Sequence, residues 1–190
     1  ISPSPCLDKD LEDQVMEQIV NPVVRGMAAE GTPYHGVLYV GLMLTDNGPQ
    51  VIEFNCRFGD PEAQAILPRL KTDIVSAMLA TTTSSLHHFN MRLDQRPAVT
   101  VVLANKGYPG NYEKGSVIGN LEDAEKTPDC YIFHAGTARA DNGDLISVGG
   151  RVLAVTALGD DLASAREAAY EGIAKINWEN GFYRNDIAEI

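Results

Sequence analysis

Positive charge is scarce in this sequence. There are 15 Lys and Arg against 26 Asp and Glu, a formal net charge of −11, with no basic run. The deficit is even along the chain: 6 basic against 12 acidic side chains up to Gln95, then 9 against 14 from Arg96 onward. Such a surface repels polyanions, which excludes nucleic acid and anionic membranes as partners. Long apolar runs are absent too. None reaches about ten residues, well short of a membrane-spanning helix. Cysteine is limited to Cys6, Cys56 and Cys130, with no CxxC spacing. A disulfide framework or a structural zinc site is therefore not expected, and a reducing, cytoplasmic setting fits. The four histidines form no HxxxH or HExxH pattern, and His87-His88 reads as a solvated pair whose rings point apart. The chain opens Ile1-Ser2-Pro3-Ser4-Pro5, without Met or a signal peptide, so we expect the interior of a longer protein.

What remains is a chain that can fold. Its 190 residues are 44% hydrophobic and 22% charged, enough for one domain or two small ones with a real core. Asp8 is placed to cap a helix carrying Leu11, Val15 and Ile19. Asn21-Pro22 predicts a fresh helix start, with Asn21 as its cap, running to a stop at Gly31. Gly36 to Thr45 is nearly all apolar and predicts a strand buried on both faces. Asp46-Asn47-Gly48 turns it into a second strand, Gln50 to Cys56. Asp60-Pro61 predicts the next helix start, and Pro68 a break in that helix. Thr81 to Arg96 is Ser/Thr/His-rich and reads as a surface boundary. Beyond it, strands are predicted at 98–104, 131–135 and 154–158, and an amphipathic helix at 162–176 capped by Asp160 or Asp161.

The densest chemistry lies in Val51 to Arg57. Side chains alternate along a strand, so Glu53, Asn55 and Arg57 are expected on one face, spaced about 6.5–7 Å apart. A carboxylate plus an amide oxygen suits Mg²⁺, which takes few protein carboxylates and completes its shell with phosphates and water. Arg57 beside them suits an anionic oxygen. A solvated polar face would show the same pattern. Three further features stay open between two readings. Asp60 serves as a helix cap or as a substrate contact. Gly107-Tyr108-Pro109-Gly110 is a sound turn or a close backbone approach to a ligand. Gly149-Gly150-Arg151 exposes backbone N–H groups beside a guanidinium, as a phosphate site or as a hairpin turn. His134, ending an apolar strand, reads as a core residue that could instead face the same cleft.

Taken in order, these segments resemble one family. Glu53-Phe54-Asn55-Cys56-Arg57-Phe58-Gly59-Asp60-Pro61-Glu62 is similar to the signature of the glycinamide ribonucleotide synthetases, the phosphoribosylamine–glycine ligases of purine synthesis. Gly31 to Tyr34 and Gly36 to Tyr39 resemble its preceding strand. Lys106 to Gly110, His134 to Thr137, Gly149 to Leu153 and Tyr183 to Ile187 resemble its later segments, in the same order. The likeness spans nearly the whole chain.

The resemblance implies an α+β chain: the rear part of an ATP-grasp domain (antiparallel sheet with helices) over 1–82, a connecting segment over 83–96, and a small mixed β/α C-terminal domain over 97–190. It implies ATP as co-substrate, glycine activated as glycyl phosphate, and attack by the amine of 5-phosphoribosylamine. Glu53 and Asn55 are the implied ligands of Mg²⁺ or Mn²⁺. Residues 36–44 hold no acidic third ligand, so water or phosphate completes the shell. Arg57 is implied as the catalytic contact to the glycine carboxylate or acyl-phosphate oxygens, and Asp60 as a contact to the phosphoribosylamine. The loops at Gly107, Tyr108, Pro109 and Gly110 and at Gly149, Gly150 and Arg151 are implied to bind substrate, the latter its 5-phosphate. No glycine-rich ATP-covering loop or adenine linker is present. In the family these lie N-terminal, so N-terminal domains of the same protein are the implied partner and the isolated piece is expected to be inactive. Another ATP-grasp ligase, a carboxylase of the biotin or aminoimidazole type, and a non-catalytic binding module are the competing readings.

Overall fold

The structure, a computed structural model, describes residues 1–189. In chain order the elements are α1 (Lys9–Val15), α2 (Asn21–Ala29), β1 (Tyr39–Thr45), β2 (Gly48–Asn55), α3 (Glu62–Ile66), α4 (Ile74–Thr82), β3 (Ala98–Asn105), α5 (Leu121–Glu125), β4 (Cys130–His134), β5 (Thr137–Arg139), β6 (Leu145–Ser147), β7 (Arg151–Leu158), α6 (Leu162–Lys175) and β8 (Gly181–Phe182). They form two compact units. One comprises residues 3–60 and 70–93; the other comprises 1–2, 61–69 and the described residues from 94 onward.

In the first unit Asp8 caps α1, its carboxylate accepting the Leu11 N–H at 2.8 Å. The expected break at Asn21-Pro22 is not there. Helix continues through a π turn, Met16–Val20, straight into α2, and Asn21 is itself helical. The reason is the proline. In a regular helix its ring would collide with the carbonyl four residues back; the wider π register, in which the Asn21 N–H reaches the Met16 carbonyl, relieves that. The helix ends in a Schellman motif, with Thr32 N–H bonded to Met27 O and Gly31 N–H to Ala28 O. β1 and β2 pair antiparallel around a short turn, with Thr45 opposite Gly48. The expectation that the first strand is buried on both faces fails: Met43 and Leu44 are 55% and 48% exposed. Among the described residues this sheet has only two strands, so no neighbour covers those side chains. α4 is capped by Asp73, which accepts from Val75 and Ser76. His87 and His88 are exposed, but in their tight 3₁₀ turn the rings meet, with centroids 3.9 Å apart.

The second unit is built on an antiparallel four-stranded sheet in the order β4-β7-β3-β8. Its spine is the β3–β7 pair. All of β3 except Val102, and all of β7 except Arg151, is buried. Val99, Val101, Leu103, Leu153 and Val155 join the core formed with α6. That helix presents Ala165, Ala169, Gly172 and Ile173, small enough to approach the sheet closely. A Cβ on Gly172 would sit 2.7 Å from Cys130 Sγ. Burial pushes the Cys130 thiol up to about 11, so it stays protonated at neutral pH. α3 packs on β3 and β7, which explains why both strands are buried throughout. Asp60 does not cap α3; the cap position is Pro61, without a side-chain bond, one residue later than expected. Arg69, in the 3₁₀ turn that Pro68 imposes, is buried and donates to the carbonyls of Asp94 and Arg96 and to Ser2 Oγ, at 2.8–3.2 Å. His134 is exposed rather than in the core; it ends β4, where Nδ1 lies 3.0 Å from Thr137 Oγ1.

Two outcomes follow from this packing. Thr100 and Thr156 face each other across β3 and β7 with hydroxyls 2.8 Å apart, both buried. Thr100→Val or Thr156→Val alone strands one hydroxyl and should cost about 1–3 kcal/mol. The double valine variant should cost less than the sum, which chemical denaturation of the three proteins will show. The second concerns acid. Asp161 accepts from Ser164 in a capping box on α6, and that bond, first through the backbone N–H, holds its carboxyl below the usual value of 3.8. A depressed folded value means the stabilisation is complete above the unfolded pKa and is lost as pH falls through the folded one. Asp161→Ala should therefore lower the melting temperature at pH 7, and the gap from wild type should narrow as pH falls below the ordinary carboxyl value of 3.8.

Candidate functional site

The expected site residues fall in both units. In the first, β2 carries Glu53 and Asn55. Their side chains do share a face: Asn55 Nδ2 donates to Glu53 Oε1 at 2.9 Å. The pairing register explains their presentation. Gly41 lies opposite Glu53 and Leu42 opposite Val51, so Ile52 is the extra residue of a β-bulge. A bulge bends its strand and re-aims the side chain beside it, here Glu53. Gly41 leaves the space that Glu53 needs, since a Cβ there would lie 3.1 Å from Glu53 Cγ. That glycine was not singled out from sequence, although a lone Gly in an apolar strand is the usual trace of such an approach.

Arg57 is placed differently from expectation. β2 ends at Asn55, so strict alternation does not carry as far as residue 57. The Arg57 guanidinium donates through Nη1 to the Phe58 carbonyl at 3.0 Å and is exposed. Asp60 is exposed in the same unit.

Glu53 and Asn55 fit a hard divalent cation. Each offers an oxygen, Asn55 turning its nitrogen to Glu53; they lie at adjacent same-face positions, Glu53 exposed and Asn55 half-buried, so phosphate and water oxygens can reach the same point. Among the described residues no group of three or more His, Cys, Asp or Glu could hold an ion. A cation here would thus need outside oxygens, as Mg²⁺ commonly does.

In the second unit, the loop Lys106 to Gly110 and the link Val148 to Gly150 meet. A Cβ on Gly150 would lie 2.3 Å from the Tyr108 ring, so that ring rests on Gly150. Tyr108 also meets Tyr112 edge-on at 6.2 Å, and its bond to Pro109 is cis. Gly107 has φ +96°, and a Cβ there would be 2.2 Å from Asn111 O, so the turn itself demands this glycine.

Gly149-Gly150 is not a hairpin turn. It passes the chain from β6, in the two-stranded β5–β6 sheet, to β7, in the four-stranded one. Two glycines make the crossing possible: a Cβ on Gly136 would be 2.6 Å from Gly149 Cα. The expected pair of exposed N–H groups is reduced, because Gly149 N–H donates to Gly136 O at 3.2 Å. Arg151 follows, exposed and opposite Ala104, with Leu153 opposite Leu103. Val152 is then the extra residue, so a second β-bulge stands directly beside Arg151.

Comparison with known proteins matches this arrangement segment by segment. Residues 1–63 match the sequence model of the phosphoribosylglycinamide synthetase ATP-grasp (A) domain, and residues 98–190 that of the phosphoribosylglycinamide synthetase C domain. The chain is 49% identical over 189 residues to the chloroplastic phosphoribosylamine–glycine ligase of Arabidopsis thaliana, covering 98% of this chain and 36% of that one. It is 47% identical over 188 residues to the phosphoribosylamine–glycine ligase of Caldanaerobacter subterraneus, covering 99% and 44%. It therefore spans less than half the length of these relatives. The crystal structure of phosphoribosylamine–glycine ligase from Thermotoga maritima superposes with a TM-score of 0.80 at 35% identity, over 97% of this chain and 45% of that one. The biotin carboxylase domain of Hydrogenobacter thermophilus 2-oxoglutarate carboxylase gives 0.64 at 13% identity, covering 96% and 39%, a likeness of fold alone. With both of its domain segments matched in order and the fold shared throughout, the chain belongs to the phosphoribosylglycinamide synthetase family.

Proposed function

We propose that this chain is the part of an ATP-dependent phosphoribosylamine–glycine ligase that holds the metal and the phosphoribosyl substrate. The observation that carries the reading is the Glu53–Asn55 oxygen pair, set beside a bulge within a segment that matches the family's ATP-grasp domain. In the reaction, a glycine carboxylate oxygen takes the γ-phosphoryl group of ATP, releasing ADP. The amine of 5-phosphoribosylamine then attacks the acyl carbon and phosphate leaves, giving glycinamide ribonucleotide. Glu53 and Asn55 would hold Mg²⁺, with Mn²⁺ as a substitute, and the ion would offset negative charge on the transferring phosphoryl oxygens.

The other residues act by charge and position. Arg57 lies in the strand's C-terminal extension, exposed, with guanidinium N–H groups to offer the glycine carboxylate or acyl-phosphate oxygens. Asp60, exposed at the end of the same segment, would accept from the phosphoribosylamine. Arg151, aimed by its bulge, would pair with the 5-phosphate, with Gly149 and Gly150 keeping side chains out of its way and the Gly107 to Gly110 loop as the adjoining wall. The nucleotide lobe would come from the rest of the protein, N-terminal to these segments. Three free cysteines suit a reducing compartment, the cytosol. Among the described residues, no helix is long and apolar enough to cross a membrane.

In a polypeptide of the relatives' length, Glu53→Ala should lower kcat by about 100-fold or more with little change in melting temperature. An unchanged rate removes Glu53 from the metal shell. Phosphate release should depend on glycine and phosphoribosylamine; dependence on bicarbonate instead would contradict the reading. The 190-residue chain alone should release no ADP with both substrates present, and measurable release would overturn the proposed division of labour.

A further inference from the structure

The residue that fixes the Gly149–Arg151 link is absent from every motif that the sequence displays. Asn105 ends β3 and is fully buried. Its amide is satisfied on both sides. Nδ2 donates to the Gly149 carbonyl at 2.7 Å, and Oδ1 accepts from Ser147 Oγ at 3.1 Å. Its backbone N–H donates to the Gly150 carbonyl at 2.9 Å, and its own carbonyl accepts the Tyr108 N–H at 3.0 Å. One residue thus bonds to both substrate loops. It ties Ser147 before the link, both glycines within it, and the turn that places Tyr108 on Gly150.

Conformational freedom makes such a tie necessary. Two consecutive glycines lose more backbone entropy on ordering than any other pair, and the link between β6 and β7 has only three residues, 148–150. Gly136 restrains the link from one side through its carbonyl, which accepts from Val148 and Gly149. Asn105 restrains the other, through the carbonyls of Gly149 and Gly150. The peptide leading into Arg151 is therefore clamped from both directions by buried or backbone groups.

We infer that Asn105 is a positioning residue for the anion site at Arg151: its side-chain N–H orients the Gly149–Gly150 peptides and so fixes the guanidinium that receives the 5-phosphate. The phosphate part of this inference rests on the function proposed above; the clamp does not. Isosteric replacement separates hydrogen bonding from packing. Asn105→Asp keeps the volume and the acceptor for Ser147 but removes the donor to Gly149, whereas Asn105→Ala removes volume and bonds together.

Two readouts on the 190-residue chain test it. Amide hydrogen exchange at Gly149 to Arg151 should become about tenfold faster or more in both variants, while amides of Thr100 to Leu103 keep their protection. Titration with ribose 5-phosphate, followed by chemical shifts, should give a Kd raised about tenfold in both variants, and binding should be lost in Arg151→Ala. Loop exchange unchanged in Asn105→Asp would overturn the clamp by showing that volume alone matters. Faster loop exchange with unaltered ribose 5-phosphate affinity would overturn the link from clamp to site. If the wild type binds no ribose 5-phosphate while its variants still loosen the loop, the clamp stands and the phosphate assignment fails. Loss of protection at Thr100 to Leu103 as well would mean general unfolding, and would overturn a local role.

Discussion

The β3–β7 pairing is the contact on which the larger unit depends. Seven antiparallel pairs run from Ala98–Leu158 to Ala104–Arg151, in strands buried almost throughout, with α6 and α3 both packed on them. Burial on both faces makes each inward substitution costly and fixes the register, because a one-residue slip would exchange the two faces. A fixed register then determines everything at the ladder's end. Asn105 arrives beside Gly149 because Leu103 faces Leu153, and Arg151 stands where it does because Val152 is squeezed out of the pairing. The candidate phosphate site is a consequence of the core.

Both candidate sites share one device. Glu53 and Arg151 each sit next to the unpaired residue of a β-bulge, in different sheets and different units. A regular strand spreads its side chains about 6.5–7 Å apart on alternating faces, which is poor geometry for converging on a small ligand. A bulge re-aims one side chain without giving up the ladder on either side. The glycines nearby serve the same end. Gly41 makes room for Glu53 Cγ, and Gly150 makes room for the Tyr108 ring.

What the sequence revealed was mostly what is local. The caps at Asp8 and Asp161 and the stop at Gly31 depend on residues within a turn of each other, and they stand as read. The Glu53–Asn55 face was legible because a period of two needs only two residues. Non-local facts were hidden. Asn21-Pro22 looks like a helix start by composition, yet a π turn accommodates the proline and the helix runs on through it. β5, β6 and β8, of two or three residues, are too short to show alternation. Where a strand ends is equally hidden: β2 stops at Asn55, so the expected shared face does not extend to Arg57. Nor does composition reveal that 61–69 folds with the residues from 94 onward, or that Arg69 is buried there, bonded to Ser2, Asp94 and Arg96.

The proposed ligase reading stands or falls on whether two oxygens on β2 hold its divalent ion. Paramagnetic broadening tests it directly. In an isotope-labelled polypeptide of the relatives' length, Mn²⁺ added with ADP should broaden the resonances of Glu53 and Asn55 and their pairing partners Gly41 and Tyr39 first. Broadening should be displaced by excess Mg²⁺ and absent from Glu53→Ala. Broadening centred instead on the acidic surface of α1, with β2 unaffected, would contradict the account.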